Sequence, residues 1–464
     1  MEALFNPRRM AVIGASEHLA KWGRIVPSNI MRDGYKGELY LVNPRGGSLN
    51  GMDFYPSAAE IGKEIDLAMI TIPAENVEET LEDCAAAGAK AVIVISGGFS
   101  ESSREGRALE ERMVAKAHDC GLRVVGPNTM GIYTAPWSLT ALMPPVRPRP
   151  GHVAFAAQSG NLGTQMLGWG SFRGIGFSRF VCIGNECDLE FADYLEYFAR
   201  DELTKVILLY VEGFKQPRRI LELAEEVSLA KPIVIYKAAG TGAGSRAAAS
   251  HSAAMAGSRE IYQGMIAQTG MIKAETTEEM LDFSDALVKL PVPRGRRLAI
   301  LSWGGGWGVI AADLCERGGL DVVPLSDSLR DEIGAFLPSY WSKGNPVDLV
   351  GILNLDDHTR CLELLTQVLP LGLLLVGRIC KLFQLGQTRL ALARRRAQLL
   401  QLLGLFRGGS SDRFERIVLL AFGVTQPGEL QLLVEQHLLL VAESVAPLIE
   451  PLDGCILLAY LSVV

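Results

Sequence analysis

Short apolar runs, each closed by Gly, Pro, Asn or Ser, recur along the first 290 residues with amphipathic stretches between them. MAVIGAS (10–16), ELYLVNP (38–44), DLAMITIPA (66–74), AKAVIVISGGF (89–99) and LRVVGPNT (122–129) read as buried strands ending in turns. The intervening Glu75–Gly88 and Ser102–Gly121 carry a helical pattern. Strands alternating with helices of this length predict parallel βαβ units wound on both faces of one sheet. A Pro-rich connector, MPPVRPRPG (143–151), then breaks the pattern. A second series follows in HVAFAAQSG, RFVCIGNE, KVILLYVEG, KPIVIYKAAG and GMIKAE. Another break, LPVPRGRR (290–297), precedes a third start at LAILSWGGGWG, with a helix expected over Ala311–Gly318 and a strand over Asp321–Leu325. The pattern therefore predicts three α/β units, cut near 145 and 293. Beyond about 353 roughly three residues in ten are Leu, and runs such as LLQLLGLF fit helix or strand equally.

Composition narrows the class. A chain of 464 residues with 48% hydrophobic and 21% charged positions has ample core material, which excludes a disordered or fibrous protein. Its net charge of −7 gives no basic footprint for nucleic acid or an anionic membrane. The eight cysteines form no CxxC, and the closest pair is Cys182 and Cys187, so neither zinc nor a redox dithiol is indicated. Free thiols in a reducing compartment, no signal-peptide pattern at the start and no apolar run of about 18 residues lead us to expect a soluble, cytoplasmic protein.

Candidate chemistry collects at the strand ends. Gly14-Ala15-Ser16, with Gly23 beyond, follows the first strand and suggests backbone N–H groups offered to a phosphate. The full GxGxxG is absent, and the second strand ends in Val42-Asn43-Pro44-Arg45 rather than an acidic residue. An arginine there favours a phosphorylated adenosine ribose over the free diol of NAD. Ile72-Pro73-Ala74, Ser96–Glu101 and Gly126-Pro127-Asn128-Thr129 end the other strands; ordinary turn chemistry accounts for any one of them alone. In the second series, Gln158-Ser159-Gly160-Asn161 opens a helix over Leu162–Trp169 and offers another anion site. Glu212 and Lys237 stand at later strand ends. The sharpest feature is AAASHSAAMAGS (247–258), where His251 has almost no side chains around it in sequence. Imidazole is nucleophilic at neutral pH and can carry a phosphoryl group, though a lone histidine is more often structural.

Taken in order, the GAS start, VNP, GGFSE, GPN, QSG, GN-x-x-D, YVEG and SHSAAMAG resemble the nucleoside-diphosphate-forming acyl-CoA synthetases, relatives of succinyl-CoA synthetase. The resemblance covers about residues 5–350. It implies a CoA-binding Rossmann-like domain (1–145) followed by two flavodoxin-like CoA-ligase domains (146–292 and 293–464), all α/β with doubly wound parallel sheets. It implies that Gly14, Ala15, Ser16, Pro44, Arg45, Ile72, Pro73 and Asn128 form the CoA site. His251 matches the transiently phosphorylated histidine, Glu212 the glutamate that orients it, and Ser159, Gly160 and Asn161 the helix start that holds phosphate. The family interconverts acyl-CoA, ADP and phosphate with acid, CoA and ATP through acyl phosphate and phosphohistidine.

This chain departs from the family at three places. Ser250-His251-Ser252-Ala253 replaces the usual Ser-His-Thr-Gly, Ala157 stands in place of the first serine of Ser-Gln-Ser-Gly, and Thr129 follows GPN where cysteine is common. No nucleophile or acid is lost. No Walker sequence occurs, since GTGAGSRA (240–247) lacks the lysine, and no segment looks like a nucleotide-grasping domain. An α-type subunit is therefore expected, with ADP/ATP and Mg2+ on an ATP-grasp β-type partner in a hetero-oligomer, and with no metal site of its own. Two other readings stay open: a non-catalytic CoA-binding regulatory subunit, and a Rossmann dehydrogenase.

Overall fold

Every apolar run of the first 130 residues becomes a strand: β1 (Arg9–Ile13), β2 (Glu38–Val42), β3 (Leu67–Ile70), β4 (Ala91–Val94) and β5 (Arg123–Val125). They pair in parallel in the order β2-β1-β3-β4-β5. The order reverses between β1 and β3, and such a switch point leaves a crevice at the carboxyl ends of the strands. Helices α1 (Trp22–Arg32), α2 (Val77–Ala86) and α3 (Arg104–Asp119) supply the crossovers. The Ser103 hydroxyl caps α3 by accepting from the Gly106 amide at 3.0 Å. The structure, a computed structural model, describes residues 1–238, 259–290, 295–351 and 355–368. It divides into two bodies between Pro293 and Arg294.

A second sheet completes the first body: β6 (Gly131–Thr134), β7 (Leu139–Leu142), β8 (Pro150–Ala157), β9 (Phe177–Cys182), β10 (Val206–Val211), β11 (Ile233–Lys237) and β12 (Ile272–Ala274). Its order is β12-β11-β10-β8-β9-β6-β7. The five strands β8 to β12 are parallel and repeat the winding of the first sheet, with a switch point between β8 and β10. The β6–β7 hairpin precedes the Pro-rich connector yet pairs antiparallel with β9, Arg179 opposite Thr134 and Val181 opposite Ile132. The chain thus changes sheets at 126–130, not at 143–151. Helices α4 (Gly160–Phe172), α5 (Phe191–Arg200), α6 (Pro217–Ser228), α7 (Arg259–Thr269) and α8 (Thr277–Lys289) cover the sheet.

Both faces of each sheet are buried, which is why the strands read as unbroken apolar runs. Met10 and Val12 of β1 face a core that continues through Ala154, Val181 and Ile207 of the second sheet. Ala11 and Ile13 point the other way, into a cluster with Leu81 and Met113. Phe155, Leu208 and Leu281 pack a third cluster beyond the second sheet.

The second body differs from the doubly wound sheet expected. Among its described residues, β13 (Arg297–Leu298) pairs with β15 (Asp321–Val322) and β14 (Leu301–Ser302) with β16 (Val347–Asp348), two short parallel ladders. Helices α9 (Gly305–Arg317), α10 (Asp327–Gly334) and α11 (Leu355–Val368) accompany them. The single strand expected across LAILSW is split by Asn345. Its side chain accepts from the Ile300 amide at 2.8 Å and donates to the Leu298 and Val323 carbonyls, both at 2.8 Å. Those contacts occupy main-chain groups that a continuous ladder would have used. The Leu-rich stretch from 369 and the segment holding His251 lie outside the described residues.

Candidate functional site

At the first switch point, Gly14 follows β1 with φ of +90°. A Cβ at Gly14 would lie 2.6 Å from Ile72 Cγ2, and one at Gly23 only 1.9 Å from the Gly14 carbonyl oxygen. Glycine at both positions lets the start of α1 press against the strand end. The sequence suggested that this turn leaves its amides free for phosphate; the structure corrects that. Gly14 and Ala15 donate to the Val42 carbonyl at 2.9 and 3.0 Å, and Ser16 donates to the Gly23 carbonyl at 3.1 Å. The donors left at this strand end are the Trp22 and Gly23 amides that open α1, where N-cap Lys21 provides no side-chain bond; Arg24 and Ile25 donate to the Lys21 carbonyl at 2.9 and 3.1 Å.

Asn43 links the neighbouring strand end to this turn. Its side-chain NH2 donates to the Ala15 carbonyl at 2.7 Å, while its side-chain oxygen accepts from the Arg45 amide at 2.9 Å. Pro44 and Arg45 are left exposed, as is Pro73 after β3; Ile72 is half-buried. Gly14, Ala15, Ser16, Pro44, Arg45, Ile72 and Pro73 therefore all lie at the carboxyl ends of β1, β2 and β3, around one crevice. Asn128, beyond β5, donates from its main-chain amide to the Ser96 carbonyl at 2.9 Å, and the Ser96 hydroxyl donates to the Ile72 carbonyl; the Asn128 side chain donates to Asn185 at 3.3 Å.

The second switch point is built from side chains. Gln158 follows β8, and Glu212 follows β10 beside it. The Gln158 side-chain oxygen accepts from the amides of Glu212 and of Gly213, the latter at 3.0 Å. Its NH2 donates to the Gly213 carbonyl at 2.8 Å and to Glu186 Oε2 at 3.1 Å. Ser159 is the N-cap of α4 and makes no side-chain cap bond, so the amides at this helix start face outward without a capping oxygen. A Cβ on Gly160 would meet Met130 Cγ at 2.3 Å, and Asn161 is exposed with its Oδ1 accepting from Gln165 at 3.0 Å. Lys237 closes β11 opposite Val211, with its ammonium 4.5 Å from the centre of the Tyr262 ring. Burial pulls the Lys237 pKa down, and Glu212 opposes that only in part.

Residues 184–189 join the two sheets. Asn185, Cys187 and Leu189 donate from their amides to the carbonyls of Pro127, Gly126 and Val124 at 2.9, 3.1 and 3.3 Å. The Asn185 side chain donates to Ser100 Oγ at 3.2 Å, to Glu110 Oε2 at 2.8 Å and to Glu101, and accepts from Asn128 at 3.3 Å. Burial opposes the charge of Glu101, but hydrogen bonds from Asn185 and from the Gly98 and Phe99 amides outweigh it and lower its pKa. Asp188 anchors the far end through Arg123 at 2.9 Å and the Val124 amide at 2.7 Å. Glu186, 3% exposed, accepts from the Phe191 amide at 2.8 Å, and burial pushes its carboxyl up to about 7. Sequence reasoning noted the GGFSE, GPN and GN-x-x-D strings separately; nothing in their spacing announces that Asn185 gathers all three.

A cleft of about 710 Å³ beside Met1, Arg123 and Tyr197 opens at the first residue of β5, away from these strand ends, and holds none of the expected site residues. Among the described residues no group of three or more His, Cys, Asp or Glu is placed to hold a metal, and no helix is long and apolar enough to cross a membrane. His251 is outside the described residues.

Comparison with known proteins agrees with this layout. A profile described as a CoA binding domain matches residues 8–135, and one described as a succinyl-CoA ligase like flavodoxin domain matches 150–287. The α subunit of acetate–CoA ligase [ADP-forming] I from Pyrococcus furiosus is 42% identical over 359 residues, covering 76% of this chain and 77% of that protein. The 4-hydroxybutyrate–CoA ligase [ADP-forming] of Nitrosopumilus maritimus is 33% identical over 75% of this chain, which spans half of that longer protein. Among solved structures, the dinucleotide forming acetyl-coenzyme A synthetase 1 of Ca. Korarchaeum cryptofilum, in complex with phosphate and ADP, is 39% identical with a TM-score of 0.72 over 75% of each chain. With relatives of this identity matched over three-quarters of its length and both profiles in order, the chain belongs to the ADP-forming acyl-CoA synthetases, a family of acid–thiol ligases, and is of their α-subunit type.

Proposed function

We propose that this chain is the acyl-transfer half of a cytoplasmic hetero-oligomer whose ATP-grasp β-type subunit binds ADP/ATP with Mg2+. Together they interconvert acyl-CoA, ADP and phosphate with free acid, CoA and ATP. The observation that carries this reading is the fixing of two switch points in one body, one with an exposed arginine and outward helix amides, the other with a carboxylate beside an uncapped helix start. CoA would lie across the first, its phosphates toward the Gly14-Ala15-Ser16 turn and the start of α1, and Arg45 toward the ribose phosphate. Pro44, Ile72 and Pro73 would flank it, and Asn128 would lie toward the thioester at the seam.

The chemistry then runs in three balanced steps. A phosphate oxygen attacks the thioester carbonyl, and the CoA thiolate leaves and takes a proton, giving acyl phosphate. A ring nitrogen of His251 attacks the phosphorus, and the carboxylate of the acid leaves. The phosphohistidine passes its phosphoryl group to ADP on the partner. Ser159, Gly160 and Asn161 would hold the phosphoryl oxygens at the start of α4, where amides and dipole favour negative charge without a metal. Glu212 would accept from the other ring nitrogen, fixing the tautomer and steadying the cation that forms. Mg2+ with ADP on the partner would neutralise the nucleotide's phosphate charge. Relatives are named for acetate, for 4-hydroxybutyrate and for trans-feruloyl-CoA, which supports a carboxylic acid as substrate without restricting it to aliphatic ones. The same names do not favour a purely regulatory subunit.

The test uses the assembled complex. Labelled phosphate should appear on His251 in the wild type, and His251→Asn should lose the label and net ATP formation by several orders of magnitude while keeping CoA affinity. A label that maps elsewhere, or a variant with near-normal turnover, overturns the reading.

A further inference from the structure

Gln158 uses every hydrogen-bonding capacity an amide side chain has. Its oxygen takes two donors, the Glu212 and Gly213 amides, and its NH2 gives two protons, to the Gly213 carbonyl and to Glu186. Three of these partners are main-chain groups; the fourth is Glu186, a carboxylate 3% exposed that has no donor of its own when ionised. Glu186 is itself held from two sides: Oε1 accepts from the Phe191 amide at 2.8 Å, and its main-chain carbonyl accepts from Lys215 at 2.6 Å. It also sits in the left-handed region with φ of +57°, between Asn185, which grips the first sheet, and Cys187.

We infer that Glu186 and Gln158 form a positioning pair that fixes the peptide carrying Glu212 against the Ser159–Asn161 helix start, so that carboxylate and phosphate site keep one geometry during phosphoryl transfer. This rests on the function proposed above. The pair acts through Glu212, whose main-chain amide Gln158 holds. The reason is directional. Were residue 186 an amide, its oxygen would stay on the Phe191 donor and its NH2 would face the NH2 of Gln158. Gln158 cannot turn over to avoid that meeting, because its NH2 would then face the two amides it accepts from and its oxygen the Gly213 carbonyl. The two NH2 groups must move apart instead, and the Glu212 peptide shifts with Gln158.

The test compares wild type, Glu186→Gln, Gln158→Glu and the reciprocal double exchange, each assembled with the nucleotide-binding subunit. CoA affinity reports on folding and the first sheet; the rate of phosphate incorporation from labelled ATP reports on the second. Each single variant should slow incorporation about ten- to a hundredfold with CoA affinity unchanged. The double exchange restores a donor facing an acceptor between 186 and 158 and keeps an oxygen for the Glu212 and Gly213 amides, while the other carboxylate oxygen faces the Gly213 carbonyl as it does in Gln158→Glu alone. It should therefore incorporate phosphate severalfold faster than Gln158→Glu. Wild-type incorporation in Glu186→Gln, or an equal loss of CoA affinity, overturns the inference, as does a double variant no faster than Gln158→Glu. Absence of any label in the wild type instead overturns the proposed function, so the two failures are distinguishable.

Discussion

The two sheets of the first body have the same winding and opposite ways of closing their switch points. In the first sheet the crevice is shaped by main chain. Gly14 and Gly23 bring backbone against backbone, Val42 accepts the turn's amides, and Thr71 Oγ1 donates to the Ile13 carbonyl at 2.9 Å. In the second sheet it is shaped by side chains, with Gln158 spanning the strand ends and Glu186 behind it. Main-chain closure gives a stiff cradle whose shape depends on the absence of side chains. Side-chain closure places an ionisable group where chemistry needs one, but makes the geometry depend on each donor and acceptor. One winding therefore serves binding and reaction through different materials.

The largest effect that would break this contrast is at Glu212. In the assembled complex, Glu212→Gln should slow phosphoryl transfer by about two orders of magnitude or more with CoA affinity intact. Equal losses in both measurements would mean that the sheets do not divide the work. Next is Gly23→Ala, where the new methyl group meets a main-chain oxygen that cannot step aside. It should destabilise the body by about 2–3 kcal/mol in denaturant unfolding. Gly160→Ala meets the flexible Met130 side chain first and should cost less; the reverse order would contradict main-chain closure of the first crevice.

A pH measurement sharpens the contrast. Glu186 is pushed by burial from the usual 4.5 to about 7, against the opposing pull of the Phe191 amide and Lys215 and with Glu190 adding to the rise. Between those values the native state binds more protons than the unfolded one, so stability falls as pH rises from 4.5 to 7. Removing the titration in Glu186→Gln should flatten that fall, a difference of up to about 3 kcal/mol in pH-dependent unfolding. Smallest is Arg45→Ala. An exposed cation toward a ligand phosphate should be worth about tenfold in CoA affinity, less at high salt, with phosphoryl transfer from bound acyl phosphate unchanged.

Much of this architecture was legible before the structure. Runs such as AVIVISGG read as strands because both their faces are buried, and the amphipathic stretch Ser102–Gly121 becomes the helix Arg104–Asp119. What stayed hidden depends on distant partners. Counting amides at Gly14-Ala15-Ser16 cannot reveal that the Val42 carbonyl, a strand away, already takes two of them. The strand across 298–302 looks continuous until Asn345 reaches into it from far along the chain. The hairpin at 131–142 escaped because its two four-residue runs precede a Pro-rich break and pair with a strand beyond it. Glu186 resembled any polar turn residue; only its burial and its link to Gln158 distinguish it.

That hairpin governs how the protein can be taken apart. Cutting the gene in the Pro-rich stretch would leave Ile132, Tyr133 and Leu139 on a fragment lacking the strand they pack with. The other fragment would carry Phe180 and Val181 on a raw, adhesive edge. Cutting earlier, at 126–130, would sever the carbonyls on which residues 185–187 hang. The two sheets are thus an indivisible cassette, and the place for grafting, fusing or splitting the chain lies at Pro293 and Arg294, where the bodies part.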